Sequence, residues 1–315
     1  MMRQPTMSHG RAAAGMLLVT LLWSTAGVVT RHLEAAERFE VTFWRSLFNL
    51  VGLGLMLTWL RGPAVWRRLL RSPRAVWLSG ACWAVMFTAF MVAITMTAVA
   101  NVLVTMAIGP LLTALLARLF LQHRLPLRTW LAIAAAGGGI TWMFASGVQA
   151  ADARSLAGMG VALAVPLAAA LNWTVLHHAQ GQGAHPPGDA ARGDDEPAEA
   201  QDMLPAVMIG AALSAAATLP LAWPLHATLH DLGLLAGLGV LQLAVPCLLV
   251  VRLTRELPPA EISLLGLLEV IFGVLWAWLW AHEVPPHSAL TGGAVVIAAL
   301  VSNELLGLRQ RATMA

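Results

Sequence analysis

Residues 262–281 read ISLLGLLEVIFGVLWAWLWA, an apolar run with one ionisable side chain, Glu269. At 1.5 Å per residue, a helix of that length spans roughly 30 Å, the thickness of a bilayer's hydrocarbon core. The run is continuous rather than alternating, which excludes a β-barrel strand, and a helix satisfies every backbone amide within its own segment. Comparable runs lie at about 12–30, 41–60, 75–95, 98–121, 127–146, 157–176, 204–223, 233–251 and 287–308. The expectation is an all-α polytopic membrane protein with ten transmembrane helices. Composition agrees: the 315 residues are 58% hydrophobic and 11% charged, against about 45–50% and about 25% in soluble proteins. No segment is long and polar enough to form a soluble domain. This argues against a secreted disulfide scaffold, a nucleic-acid binder and a soluble enzyme on an anchor. Pro110, Pro166 and Pro246 fall inside helices 4, 6 and 8, where they predict kinks.

The few charges orient the helices. All 19 basic residues are Arg. With a cytoplasmic N-terminus, 15 of them fall on the inside, many between Arg61 and Arg74, and only Arg31, Arg38 and Arg154 outside; Arg45 lies within a span. The positive-inside rule therefore places both termini in the cytoplasm. Residues 179–202 break the apolar pattern with Gly, Pro, Ala and six acids, too polar to fold alone, and read as a flexible cytoplasmic linker. Residues 309–315 form a cytoplasmic tail. Cys82 and Cys247 sit in apolar runs and read as inert packing.

The chain also repeats itself. A shift of 160 residues aligns Pro126 with Pro286, Leu115 with Leu275 and Ala117 with Ala277; a shift of 150 pairs Trp23-Ser24 with Trp173-Thr174. The halves are 1–150 and 151–308, each of five helices. Five is odd, so the second half enters the membrane upside down. Two inverted five-helix repeats are the architecture of secondary transporters, whose sites lie near the bilayer midplane between the repeats.

Leu21-Leu22-Trp23-Ser24, Phe43-Trp44-Arg45, Pro110, and the run from Leu267-Leu268-Glu269 to His282-Glu283 together resemble the EamA-type transporters of the drug/metabolite transporter superfamily. The resemblance covers essentially the whole chain. It implies a multi-pass protein of the bacterial inner membrane that moves a small organic metabolite, such as an amino acid or drug, by alternating access, with export the expected direction and proton coupling left open. The partners expected are a small-molecule solute and the lipid bilayer, with no nucleic acid, no cofactor and no metal; monomer and homodimer both remain open. Three positions depart from the family pattern: His123 replaces an acid at the end of helix 4, Val270 replaces a proline after Glu269, and 179–202 is inserted.

An ionisable side chain inside a span costs roughly 2.5–3.5 kcal/mol on insertion scales, so each one is a functional candidate. Arg45 could contact a substrate carboxylate or phosphate through its planar donor fork, or snorkel outward or pair with Glu283. Glu269 could take up and release protons, or hold helices together. Counting 1.5 Å per residue puts Arg45 about 6 Å and Glu269 about 18 Å below the outer boundary, so Arg45 lies nearer Glu283. Asn101, Asn172, Trp23 and Trp173 are the neutral candidates for a cavity wall, with Asn49, Asn303, Trp44 and Trp83 beside them. Trp276, Trp278 and Trp280 read as an outer aromatic belt, and Glu261 as a solvated helix end. A membrane-embedded enzyme acting on a lipid or prenyl substrate is the rival reading. It would want clustered acids for a metal, or a nucleophile with its base, and the cytoplasmic acids gather in the linker instead.

Overall fold

The computed structural model describes residues 7–30, 32–64, 66, 69, 71–97, 102, 105–120, 125–144, 153–181, 203–281 and 287–314. Asn101, Glu283 and nearly all of the acidic linker lie outside them. Every regular element among the described residues is helical. The chain runs through α1 (His9–Trp23), α2 (Ala26–Thr30), α3 (Arg38–Arg61), α4 (Arg74–Met96), α5 (Gly109–Phe120), α6 (Leu127–Phe144), α7 (Ala153–Gly181), α8 (Leu204–Ala222) and α9 (Leu229–Gly237). A π-helical segment, Leu238–Ala244, leads into α10 (Val245–Leu253), followed by α11 (Pro259–Gly266), α12 (Leu268–Ala281) and α13 (His287–Met314). Seven helical stretches among the described residues are long and apolar enough to cross a membrane, with shorter apolar helices at Gly109–Phe120 and Leu290–Asn303. The protein is thus a multi-pass membrane protein.

The packing closes into a ring. α7 lies on α4, α4 on α8 and α8 on α3; α3 lies on the π-segment and α9; α10 lies on α1, and α1 on α11 and α12; α11 returns through α5 to α7. α6 and α13 pair with each other beside the ring. Small residues make these approaches close. A Cβ at Gly139 would stand 2.8 Å from the Gly292 carbonyl, so α6 and α13 meet where small residues let their backbones approach. Thr129 donates to Asn303 Oδ1 at 3.1 Å and Trp142 to Thr291 at 2.9 Å along the same seam. Asn303 is therefore part of this seam. Leu131, Trp142, Val295 and Val301 on the pair's outer face are exposed, as suits contact with lipid.

The three prolines differ in setting. Pro166 sits in the interior of α7, and Pro246 lies inside the continuous helical stretch Leu229–Leu253, directly after its π-segment; Pro110 is the second residue of α5. A proline in the first turn loses no hydrogen bond, because the first amides of a helix have no intrahelical acceptor.

Two buried carboxylates cross-tie the loops at one end of the ring. Asp231, fully buried in the first turn of α9, accepts the backbone N–H groups of Glu34, Ala35 and Ala36 at 2.7–3.0 Å, and that of Thr228 at 3.2 Å. Glu40, in the first turn of α3, accepts those of His226 and Ala227 at 2.8–3.0 Å and the Trp44 indole at 3.2 Å. Each acid thus holds the loop that precedes the other. Asp231→Ala strands several buried donors, each worth about 1–3 kcal/mol, and should lower stability by about 2–4 kcal/mol. Thermal unfolding in nanodiscs measures this loss, and hydrogen exchange at Glu34–Ala36 should quicken with it. At the opposite end, His9 Nε2 pairs with Glu261 Oε1 at 2.5 Å. Glu261 is 9% exposed, a buried partner of α1 rather than a solvated helix end.

Candidate functional site

Three local departures from the regular α-helical ladder lie on elements linked by side-chain contacts. The first divides α1 from α2. Ser24 and Thr25 turn their hydroxyls back onto the carbonyls of Leu21 and Leu22, both at 2.7 Å, an alternative to the helical ladder. The second is the π-segment, a wide turn of the sort often found at functional sites. The third is at Leu267, between α11 and α12, and it occurs although the family's proline is Val270 here. Glu269 stands in the first turn of α12, where the helix dipole favours a negative charge.

Side chains join these breaks. Gln242, the amide of the π-segment, donates Nε2 to the Trp23 carbonyl at 3.0 Å, where α1 ends. Trp276 of α12 donates its indole N–H to Ser24 Oγ at 2.8 Å. The Trp23 side chain hydrogen-bonds the sulfur of Cys247 on α10. Trp276 therefore points inward, while Trp278 and Trp280 beside it are exposed and suit the outer belt.

Arg45 faces this cluster from α3. It is 6% exposed; Nη1 donates to the thioether of Met91 at 3.2 Å, a weak acceptor, and Nε has no hydrogen-bond partner. Its guanidinium interacts electrostatically with Glu269 and with Cys247. Arg45 and Glu269 interact without a direct ion-pair contact. Glu269 keeps partial solvent access. One turn along α3, Asn49 is fully buried with neither amide atom bonded. Buried polar atoms are nearly always satisfied; the unpartnered groups on Arg45, Asn49 and Gln242, whose Oε1 is also unbonded, set this cluster apart together with its charge, while Asn172 Nδ2 and Trp83 Nε1 are unpartnered at the α4–α7 contact.

The sequence candidates divide accordingly. Arg45, Glu269 and Trp23 come together. Depth counting had put Arg45 nearer Glu283, which lies outside the described residues; the helix carrying Arg45 starts at Arg38, earlier than the apolar run, so Arg45 sits deeper. Asn172 and Trp173 lie instead at the contact of α7 with α4: Ser79 donates to Asn172 Oδ1 at 2.6 Å, and the Trp173 ring meets Trp83 edge-on at 5.4 Å. Trp44 is engaged by Glu40. Ser24, Gln242, Cys247 and Trp276 are additions that the sequence reading missed. Gln242 had a signal, as the one amide in an otherwise apolar run. Among the described residues, no group of three His, Cys, Asp or Glu could hold a metal ion.

A membrane-embedded helical ring with a charged, under-bonded cluster at broken helices defines a class: polytopic membrane proteins with a polar site inside the bilayer. The model of the EamA-like transporter family matches residues 10–145 and 198–303, and the chain belongs to that family. Members of the family are membrane transporters of the drug/metabolite transporter superfamily, not enzymes. A protein of known crystal structure shares the fold at a TM-score of 0.74 and 17% identity, over 96% of this chain and 99% of its own. No curated protein sequence matches the chain.

Proposed function

We propose that this protein is a secondary transporter that moves a small organic solute by alternating access, with Arg45 and Glu269 at its binding site and Glu269 the group that couples transport to protons. The observation that carries the reading is the electrostatic pairing of Arg45 with Glu269 beside linked departures from the regular helical ladder. A charge in lipid is costly and is kept where it works. Local departures from the regular helical ladder are places where a transmembrane helix can bend during a change of access. The proposed frame is ten transmembrane helices in two inverted five-helix repeats, 1–150 and 151–308, set in the bacterial inner membrane with both termini cytoplasmic and transport directed outward. The two loop ties, of Asp231 and Glu40, then face outside, and the His9–Glu261 pair faces the cytoplasm. The test is uptake or release of labelled metabolites by liposomes that contain the purified protein. Flux that saturates with solute supports the reading; flux no greater than that of empty liposomes across a broad panel of metabolites overturns it.

A further inference from the structure

We infer that the solute carries a negative charge, a carboxylate or phosphate, which takes the place of Glu269 as the partner of Arg45, so that one proton travels with each anion in the same direction. The inference rests on the transporter reading above and adds to it the class of solute and the sign of the coupling.

The argument starts from what Arg45 lacks. A guanidinium offers five N–H donors in a planar fork that fits two oxygens of a carboxylate or phosphate. Here one nitrogen meets a thioether, Nε meets nothing, and Glu269 interacts from beyond ion-pair contact. A buried cation in that condition is stable enough to persist but far from satisfied. The unmet donors of Arg45 therefore suit an oxyanion, and the Asn49 amide one turn away has donor and acceptor free to orient the rest of the molecule.

Charge then dictates the proton. With Glu269 ionised, an incoming anion would meet two negative groups around a single cation in a region of low dielectric. With Glu269 protonated, the site holds one cation and one anion and is neutral. Among the described residues, the charged or titratable groups facing Glu269 are few: Arg45 from α3 and, beyond it, Cys247 from α10. α1 offers Trp23 and Ser24, the π-segment offers Gln242, and α13 meets α12 with Gly293 against Ile271. Arg45 remains the cation in both states, and its partner alternates between Glu269 and the solute. The balance is simple: Glu269 accepts a proton on the side where the anion binds and returns it on the side where the anion leaves, and no covalent bond forms; outward transport then draws on the anion's own outward gradient, and an inward proton gradient works against it.

The experiment measures binding to the full-length protein in nanodiscs by quenching of tryptophan fluorescence. The probes are inorganic phosphate, acetate, and three molecules of one skeleton: 3-phenylpropionate, its neutral amide and 3-phenylpropylamine. An anionic probe should bind and the amide and amine should not. For acetate and 3-phenylpropionate, whose charge is constant over the range, affinity should fall as pH rises between about 6 and 8, approaching tenfold per unit for one linked proton; phosphate, which titrates there itself, is compared at a single pH. Glu269→Gln should bind the anion with no pH dependence, and Arg45→Gln should not bind it, with thermal unfolding showing both variants folded. Arg45→Lys, which keeps the charge without the fork, should bind weakly and retain the pH slope. The inference is overturned if the amide or amine binds as well as the anion, if no anion binds, or if anion affinity is the same at both ends of the pH range in the unaltered protein. Liposome flux separates this from the parent reading. Saturable flux of neutral or cationic solutes alone sinks the anion and leaves the transporter; pH-linked anion binding with no flux of any solute does the reverse.

Discussion

Glu269→Gln should remove the response of solute flux to an imposed pH gradient while the protein still folds and still binds. The substitution keeps the shape and hydrogen-bonding capacity of the side chain and deletes only its titration. Removing one partner of a buried ion pair can cost about 3–5 kcal/mol. Here the cost should be smaller, because Glu269 makes no direct ion pair with Arg45 and keeps partial access to solvent. A one-unit gradient stores about 1.4 kcal/mol per proton, so a carrier coupled one to one can concentrate its solute about tenfold. The unaltered protein in liposomes should approach that ratio, and the variant should stop near equality while exchanging labelled for unlabelled solute at a measurable rate. Proton-driven accumulation that survives in the variant would show that another group carries the proton.

Much of this molecule was legible because lipid simplifies the reading. A backbone in hydrocarbon must be helical, so apolar run lengths alone locate the helices, and a charge inside a run stands out against its surroundings. That is why Arg45 and Glu269 could be named in advance. Their association could not, because counting residues assumes straight, uninterrupted helices. The helix that carries Arg45 begins at Arg38, outside the apolar run, and the helix that carries Glu269 is interrupted at Leu267. Arg38 has no glycine or proline beside it, and Gly266, just before Leu267, is one of many glycines in the apolar runs and does not by itself single out a break. Ser24 is no plainer in sequence, since the break there is sustained by hydroxyls bonding backward and by Trp276 from another helix. Such breaks are tertiary facts. Cys247 illustrates the same limit: buried in an apolar run, it is indistinguishable in sequence from packing, yet it interacts with both Trp23 and Arg45. Glu261 erred in the opposite direction, since a carboxylate near a helix end is ordinarily solvated, and only the arrival of His9 from α1 makes it a buried partner.

Gly239 offers the sharpest test of how the site is held. It lies in the π-segment, and a Cβ there would stand 2.6 Å from Phe48 Cβ, 2.8 Å from the Arg45 carbonyl oxygen and 2.8 Å from the Asn49 amide nitrogen. Two of those atoms are backbone, inside a helix, and cannot rotate aside. Gly239→Ala must therefore push α3 and the π-segment apart, at roughly 1–3 kcal/mol for an overpacked contact. The shift falls on Arg45 and Asn49, the two residues proposed to face the solute, and Gln242 of the same segment would be drawn away from Trp23. Thermal unfolding should move downward, and affinity for solute should fall about tenfold, the equivalent of about 1.4 kcal/mol. Gly233→Ala supplies the control: it lies in α9 with nothing within 4 Å of an added Cβ, and alanine is the better helix former by about 1 kcal/mol, so that variant should be as stable as the parent or more so, with unchanged binding. Equal behaviour of the two variants would mean that close approach at Gly239 does not position Arg45, and that the π-segment is tolerated by the fold without serving the site.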